Sequence, residues 1–121
     1  MGSAKYCFSI EQGTDLRVPF VLKDSEGMPL NLDGCAFRMQ MRKSLYDLDA
    51  VDTLTTANGR IVCEPAAGRF ELIFPNDVTE AYPVQALLYD IELVTAGSEV
   101  RRIVEGRIKV LPEVTRVRNE R

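Results

Sequence analysis

Between Leu87 and Leu111 the chain reads as two long strands folded back on one another, and this stretch constrains the fold more than any other. Leu87, Tyr89, Ile91 and Leu93 share one parity while Asp90 and Glu92 take the other, the alternation of a strand with one face buried. Ala96-Gly97-Ser98-Glu99 then turns the chain into a second β-rich run, Val100 through Leu111. The pattern predicts a β-hairpin, which supplies a frame but no chemistry of its own.

The rest of the chain has the same character. A short opening strand is expected near Lys5 to Ile10, and after Gly13-Thr14 the residues Leu16, Val18, Phe20 and Leu22 line one face of another. Pro19 lies inside that run. Because proline has no N–H to give a ladder, the strand belongs at a sheet edge or has Pro19 turned away from its partner. Asp24 to Gly27 is a turn, Met28 to Gly34 an extended connection, and Cys35 to Arg42 a strand with Arg38, Gln40 and Arg42 on its wet face. Residues 43–53 lack a period and read as a long loop. Asn58-Gly59, between Leu54-Thr55-Thr56 and Arg60 to Glu64, reads as the type I′ turn of a tight hairpin. After the turn Pro65 to Gly68, Phe70, Leu72 and Phe74 alternate, and Pro75 to Tyr82 is the one helical turn, stopped by Pro83.

Seven to eight short strands with regular turn signals and no long helical period define an all-β chain. They predict a single antiparallel β-sandwich domain over residues 1–121, Ig-like or jelly-roll-like, with the helical turn crossing between sheets. At 121 residues, 45% hydrophobic and 27% charged, such a chain can bury a core without staples. The net charge of −3 is uneven: residues 1–100 carry 8 Lys/Arg against 15 Asp/Glu, residues 101–121 carry 7 against 3. Residues 113–121 therefore read as a flexible basic tail. Its interruption by acids and its lack of aromatics argue against nucleic acid as a partner. No apolar run approaches the ~20 residues that span a bilayer, and no membrane partner or signal peptide is expected.

The chain has no histidine, which removes serine-type triads, Cys-His pairs and the common metal-ligand sets. Its 8 glycines are scattered rather than gathered into a phosphate-binding loop. Cys7, Cys35 and Cys63 are an odd, widely spaced set that reads as reduced core thiols. Asp47, Asp49 and Asp52 lack the glycine and closing glutamate of a calcium loop and read as solvated loop acids. Asp90 and Glu92 could suit a glycosidase pair only across a sugar cleft; the plainer reading is a wet strand face opposite Arg101 or Arg102. No catalytic residue, cofactor or metal is expected.

One resemblance goes further. Leu54 to Ile61, Gly68-Arg69-Phe70-Glu71-Leu72, Tyr89 to Leu93, Val100 to Gly106 and Val114-Thr115-Arg116, in this order, resemble a family of small β-sandwich proteins of tailed bacteriophages and prophages. The family includes the N-terminal domain of upper-baseplate proteins and related tail or fibre-attachment modules, and the resemblance covers most of the chain from Gly13 onward. It implies a non-enzymatic virion component, made in the host bacterial cytoplasm and present in several copies, that docks other virion proteins. Longer members carry a C-terminal fibre or receptor-binding extension that this sequence lacks, so attachment rather than host recognition is implied. The residues expected at an interface are Tyr46 and Tyr82, in irregular segments, and the basic Arg101, Arg102, Arg116 and Arg118. The alternative is a carbohydrate- or host-surface-binding sandwich that uses the loop tyrosines and acids.

Overall fold

The structure, a computed structural model, describes residues 3–116. Two sheets form a β-sandwich. The larger contains β1 (Ala4–Lys5), β2 (Phe8–Glu11), β4 (Ala36–Arg42), β5 (Asp52–Thr55), β8 (Ala86–Val94) and β9 (Val100–Leu111), in the order β1-β9-β8-β4-β5 with β2 also on β9. The smaller is β3 (Leu16–Val21), β7 (Arg69–Phe74) and β6 (Ile61–Glu64), in the order β3-β7-β6. A 3-10 turn (Pro65–Ala67) closes the β6–β7 hairpin, and the helical turn α1 (Asn76–Thr79) carries the chain from β7 to β8, from one sheet to the other.

Alternation decides which side chains meet between the sheets. Phe37, Met39 and Met41 of β4, Leu87, Tyr89, Ile91 and Leu93 of β8, and Phe70, Leu72 and Phe74 of β7 are all buried. Phe37 and Phe70 stack across the gap with ring centroids 4.4 Å apart, and Phe20 continues the stack at 5.1 Å from Phe70. Phe8 joins a second cross-sheet contact, 6.0 Å from Phe74 and 5.5 Å from Tyr89.

Three details depart from the sequence expectation. The opening run pairs with β9 in parallel, Ala4 opposite Val104 and Phe8 opposite Ile108, and its interruption at Tyr6-Cys7 raises the strand number to nine among the described residues. Gly106 makes the approach possible, since a Cβ there would lie 2.1 Å from the Tyr6 carbonyl oxygen, which accepts the Tyr89 hydroxyl at 2.5 Å. Second, Asn58-Gly59 does not form a hairpin: β5 pairs with β4 and β6 with β7, so the chain changes sheets here. A type I′ turn needs positive φ at both central residues, whereas among described non-glycine residues only Ser98 has it. The Asn58 side chain instead accepts from the N–H groups of Thr55 and Arg60 and donates to the Thr53 carbonyl. Third, Cys7 is exposed, while Cys35 and Cys63 are half-buried against the core, all three as free thiols.

Pro19 obeys both of its expected conditions. It lies on the edge strand β3, and the Leu22 N–H to Gly68 carbonyl bond (2.7 Å) sets the hydrogen-bonding parity so that Pro19 opposite Glu71 points its nitrogen away from β7. The Phe37–Phe70 contact leads to a stability test. Phe70→Ala is expected to cost about 3–5 kcal/mol in urea unfolding, and Val62→Ala, on the 46% exposed side of β6, to stay within about 0.5 kcal/mol; equal losses would show that the seam is not what joins the sheets.

Candidate docking surface

The outward face of the larger sheet is built from the residues that alternation excludes from the core. Pairing of β4, β8 and β9 arranges them in rows: Arg42, Leu88 and Arg107; Gln40, Asp90 and Glu105; Arg38, Glu92 and Arg102. The last row needs a correction in register, because strict alternation from Val104 would turn Arg102 inward. A bulge between Ile91 and Glu92 lets Ile103 and Val104 both stay buried and returns Arg102 to the outer face. There Arg102 Nε lies 3.1 Å from Asp90 Oδ2, and Arg38 Nε lies 2.7 Å from Glu92 Oε1. Asp90 and Glu92 are thus each matched to an arginine, as the wet-face reading expects, and each such exposed pair contributes only about 0–1 kcal/mol.

This face forms an open groove of about 1040 Å³, with Leu45 at its rim. Leu45 belongs to the irregular segment after β4, and the structure shows what organises that segment. Arg42 Nη1 donates to the carbonyls of Asp47 (3.1 Å) and Leu48 (2.9 Å), and its Nη2 to Gln40 Oε1 at 2.6 Å. The Tyr46 N–H donates to Ser44 Oγ at 3.2 Å, and the Val51 N–H returns to the Met41 carbonyl at 2.6 Å. A planar guanidinium gripping two successive carbonyls fixes the bend of the loop. On that held backbone Leu45, Tyr46 and Leu48 stand 80%, 94% and 95% exposed, three large side chains close in sequence and of the kind that mark an interaction site where they are grouped.

The expected interface residues are not one cluster. Tyr46 is on this loop. Arg101 and Arg102 are exposed near the start of β9, with Arg101 3.4 Å from Glu99 and Arg102 on Asp90. Arg116 is exposed beyond β9, and Arg118 lies outside the described residues. Glu113, at the start of the expected tail, is anchored through its N–H to Gln12 Oε1 at 3.1 Å.

Tyr82 corrects its expectation: it is 4% exposed and so cannot offer its ring to a partner. Its hydroxyl donates to Asp52 Oδ2 at 2.5 Å, and Arg60 holds the same carboxylate at 2.9 Å while its Nε donates to the Ile73 carbonyl at 2.8 Å. Asp52 is therefore not a solvated loop acid like the exposed Asp47 and Asp49, but the centre of a polar clamp joining β5, β7 and the end of the α1 connection. No spacing in the sequence links positions 52, 60 and 82; the only signal is that a tyrosine just before Pro83 follows a helical turn whose inner side must be buried. Burial opposes the charge on Arg60, yet the hydrogen bond and charge of Asp52, with help from Tyr82, hold its pKa above the ordinary value.

Among the described residues no group of three or more His, Cys, Asp or Glu side chains is placed to hold a metal ion. None of their helices is long and apolar enough to cross a membrane. No protein-family model matches the chain, and no curated protein matches it. Among solved structures it is similar to Drosophila OTK, extracellular domains 3–5, with 13% identity and a TM-score of 0.39 over 94% of this chain and 34% of that one. The chain spans about a third of that structure's length, and a similarity of this strength carries no argument about function.

The buried tyrosines make stability pH-dependent. Burial first, then the hydrogen bond and charge of Asp52, push the Tyr82 pKa far above its ordinary value, and burial does the same for Tyr89. The folded chain keeps these protons where the unfolded chain loses them, near pH 10. Their contribution is therefore complete below about pH 10 and is lost as pH rises toward the folded-state values. Urea unfolding at a series of pH values is expected to show stability falling above about pH 10, with a shallower fall in the Tyr82→Phe/Tyr89→Phe variant; an unchanged slope in that variant would contradict the assignment.

Proposed function

We propose that the chain is a non-enzymatic docking module, a structural component of a phage or prophage virion that holds neighbouring virion proteins through the loop between β4 and β5. The observation that carries the docking part is the exposure of Leu45, Tyr46 and Leu48 on a backbone gripped by Arg42. An interface favours apolar and aromatic anchors whose position is settled before binding, since less freedom is then lost on association. The virion part rests on the sequence resemblance from Gly13 onward. In this reading the module acts in the assembled particle and is present there in several copies.

Strand addition at the β5 or β3 edge is a less suitable mode. On β5 the outward Thr53 carbonyl and Thr55 N–H are taken by Asn58, and the Thr53 N–H by Asp52; on β3, Pro19 removes a donor. The carbohydrate-binding alternative draws on the loop tyrosines Tyr46 and Tyr82 with the loop acids, and burial of Tyr82 removes one of those two rings.

The test is replacement of all three apolar residues, Leu45→Ser/Tyr46→Ser/Leu48→Ser, in the virus or prophage that encodes the chain. Mass spectrometry of purified particles is expected to find the wild-type chain and its cross-links to a virion neighbour. The variant should be folded by circular dichroism but lost from particles or weakened in that contact by about 2 kcal/mol or more. Wild-type particles that lack the chain, or full incorporation of the variant, would defeat the proposal.

A further inference from the structure

The groove carries an excess of cations, and the loop beside it carries Asp47 and Asp49 against Lys43. The groove lining holds five cations, Lys5, Arg38, Arg42, Arg102 and Arg107, against three carboxylates, Asp90, Glu92 and Glu105. Arg38 and Arg102 are spent on Glu92 and Asp90, and Arg42 on loop carbonyls. Lys5 and Arg107 are exposed without an ion-pair partner among the described residues. On the loop, Asp47 and Asp49 are likewise exposed with their carboxylates unmatched, flanking the bare Leu48. Within one chain these acids cannot serve the groove, because Arg42 holds the Asp47 and Leu48 carbonyls and so fixes the loop at the rim.

The geometry points to a second copy of this chain as the occupant: a two-fold symmetric dimer in which each copy lays its loop 43–51 into the groove of the other. A surface that carries a knob and its complementary groove side by side is self-complementary under a two-fold axis, which uses both contacts at once and closes the assembly at two copies. Asp47 and Asp49 of one copy then face Lys5 and Arg107 of the next, and Leu45 and Leu48 cover the half-buried Leu88 that lies between Arg42 and Arg107 in its row. This inference rests on the docking reading of the loop and names one partner for it.

Sedimentation velocity of the full chain over a concentration series tests it. The wild type is expected to dimerise. Asp47→Lys/Asp49→Lys and, separately, Lys5→Glu/Arg107→Glu should each weaken dimerisation by about tenfold or more while keeping the folded circular dichroism spectrum. Mixed in equal amounts, the two variants should form a heterodimer, because the lysine-bearing loop then meets the glutamate-bearing groove and the unaltered acidic loop meets the unaltered basic groove. A wild-type chain that stays monomeric, a dimer indifferent to either pair of substitutions, or a mixture that fails to associate would each overturn the proposal. The docking reading would fall separately, through full incorporation of the triple serine variant into particles.

Discussion

The stack of Phe37 on Phe70 is the contact on which the remainder of the structure depends. It joins a six-stranded sheet to a three-stranded one with centroids 4.4 Å apart, and both rings are almost wholly buried. Burying a phenylalanine side chain contributes roughly 1.5–3 kcal/mol, and an aromatic pair about 0.5–1.5 kcal/mol beyond its area. The exposed ion pairs on the outer face, at about 0–1 kcal/mol each, are minor by comparison. Adhesion between the sheets therefore belongs to the inner rows, and the outer rows are free to vary in what they present.

That division explains how a small all-β chain can keep a loop apolar on the outside. β4 supplies both sides of the arrangement: Phe37, Met39 and Met41 point into the core, and Arg38, Gln40 and Arg42 point out. Arg42 is the last residue of the strand, so a side chain anchored by the sheet reaches the Asp47 and Leu48 carbonyls in the middle of the loop beyond it. The loop needs no core of its own. At its far end the Asp52–Arg60–Tyr82 clamp ties the start of β5 to the opposite sheet, and the loop is thus held at both ends.

Much of the frame is legible in the sequence: alternation gives the β8–β9 hairpin and the inward set of β4 and β7, and proline chemistry gives the helical turn before Pro83 and the edge strand of Pro19. Alternation says which face a residue takes but not which strand lies beside it. For that reason the parallel pairing of Phe8–Glu11 with β9 was hidden, and Asn58-Gly59 passed for a hairpin although its flanking strands lie in different sheets. The candidate surface is half visible in the sequence. Tyr46 stood out as an aromatic residue in an irregular segment, whereas Tyr82 looked the same and is buried, because its environment depends on Asp52 and Arg60, distant in sequence. Arg42 read only as a wet-face arginine; its grip on the loop depends on a bend that no periodic pattern encodes.

A loop between β4 and β5 that is held in place before it meets any partner should be rigid in the free chain, which backbone ¹⁵N relaxation reads. Order parameters for residues 43–51 are expected to match those of the neighbouring strands, about 0.8 or higher, and to fall in Arg42→Ala. Values below about 0.6 in the wild type, or values indifferent to loss of Arg42, would show that Arg42 does not hold the loop.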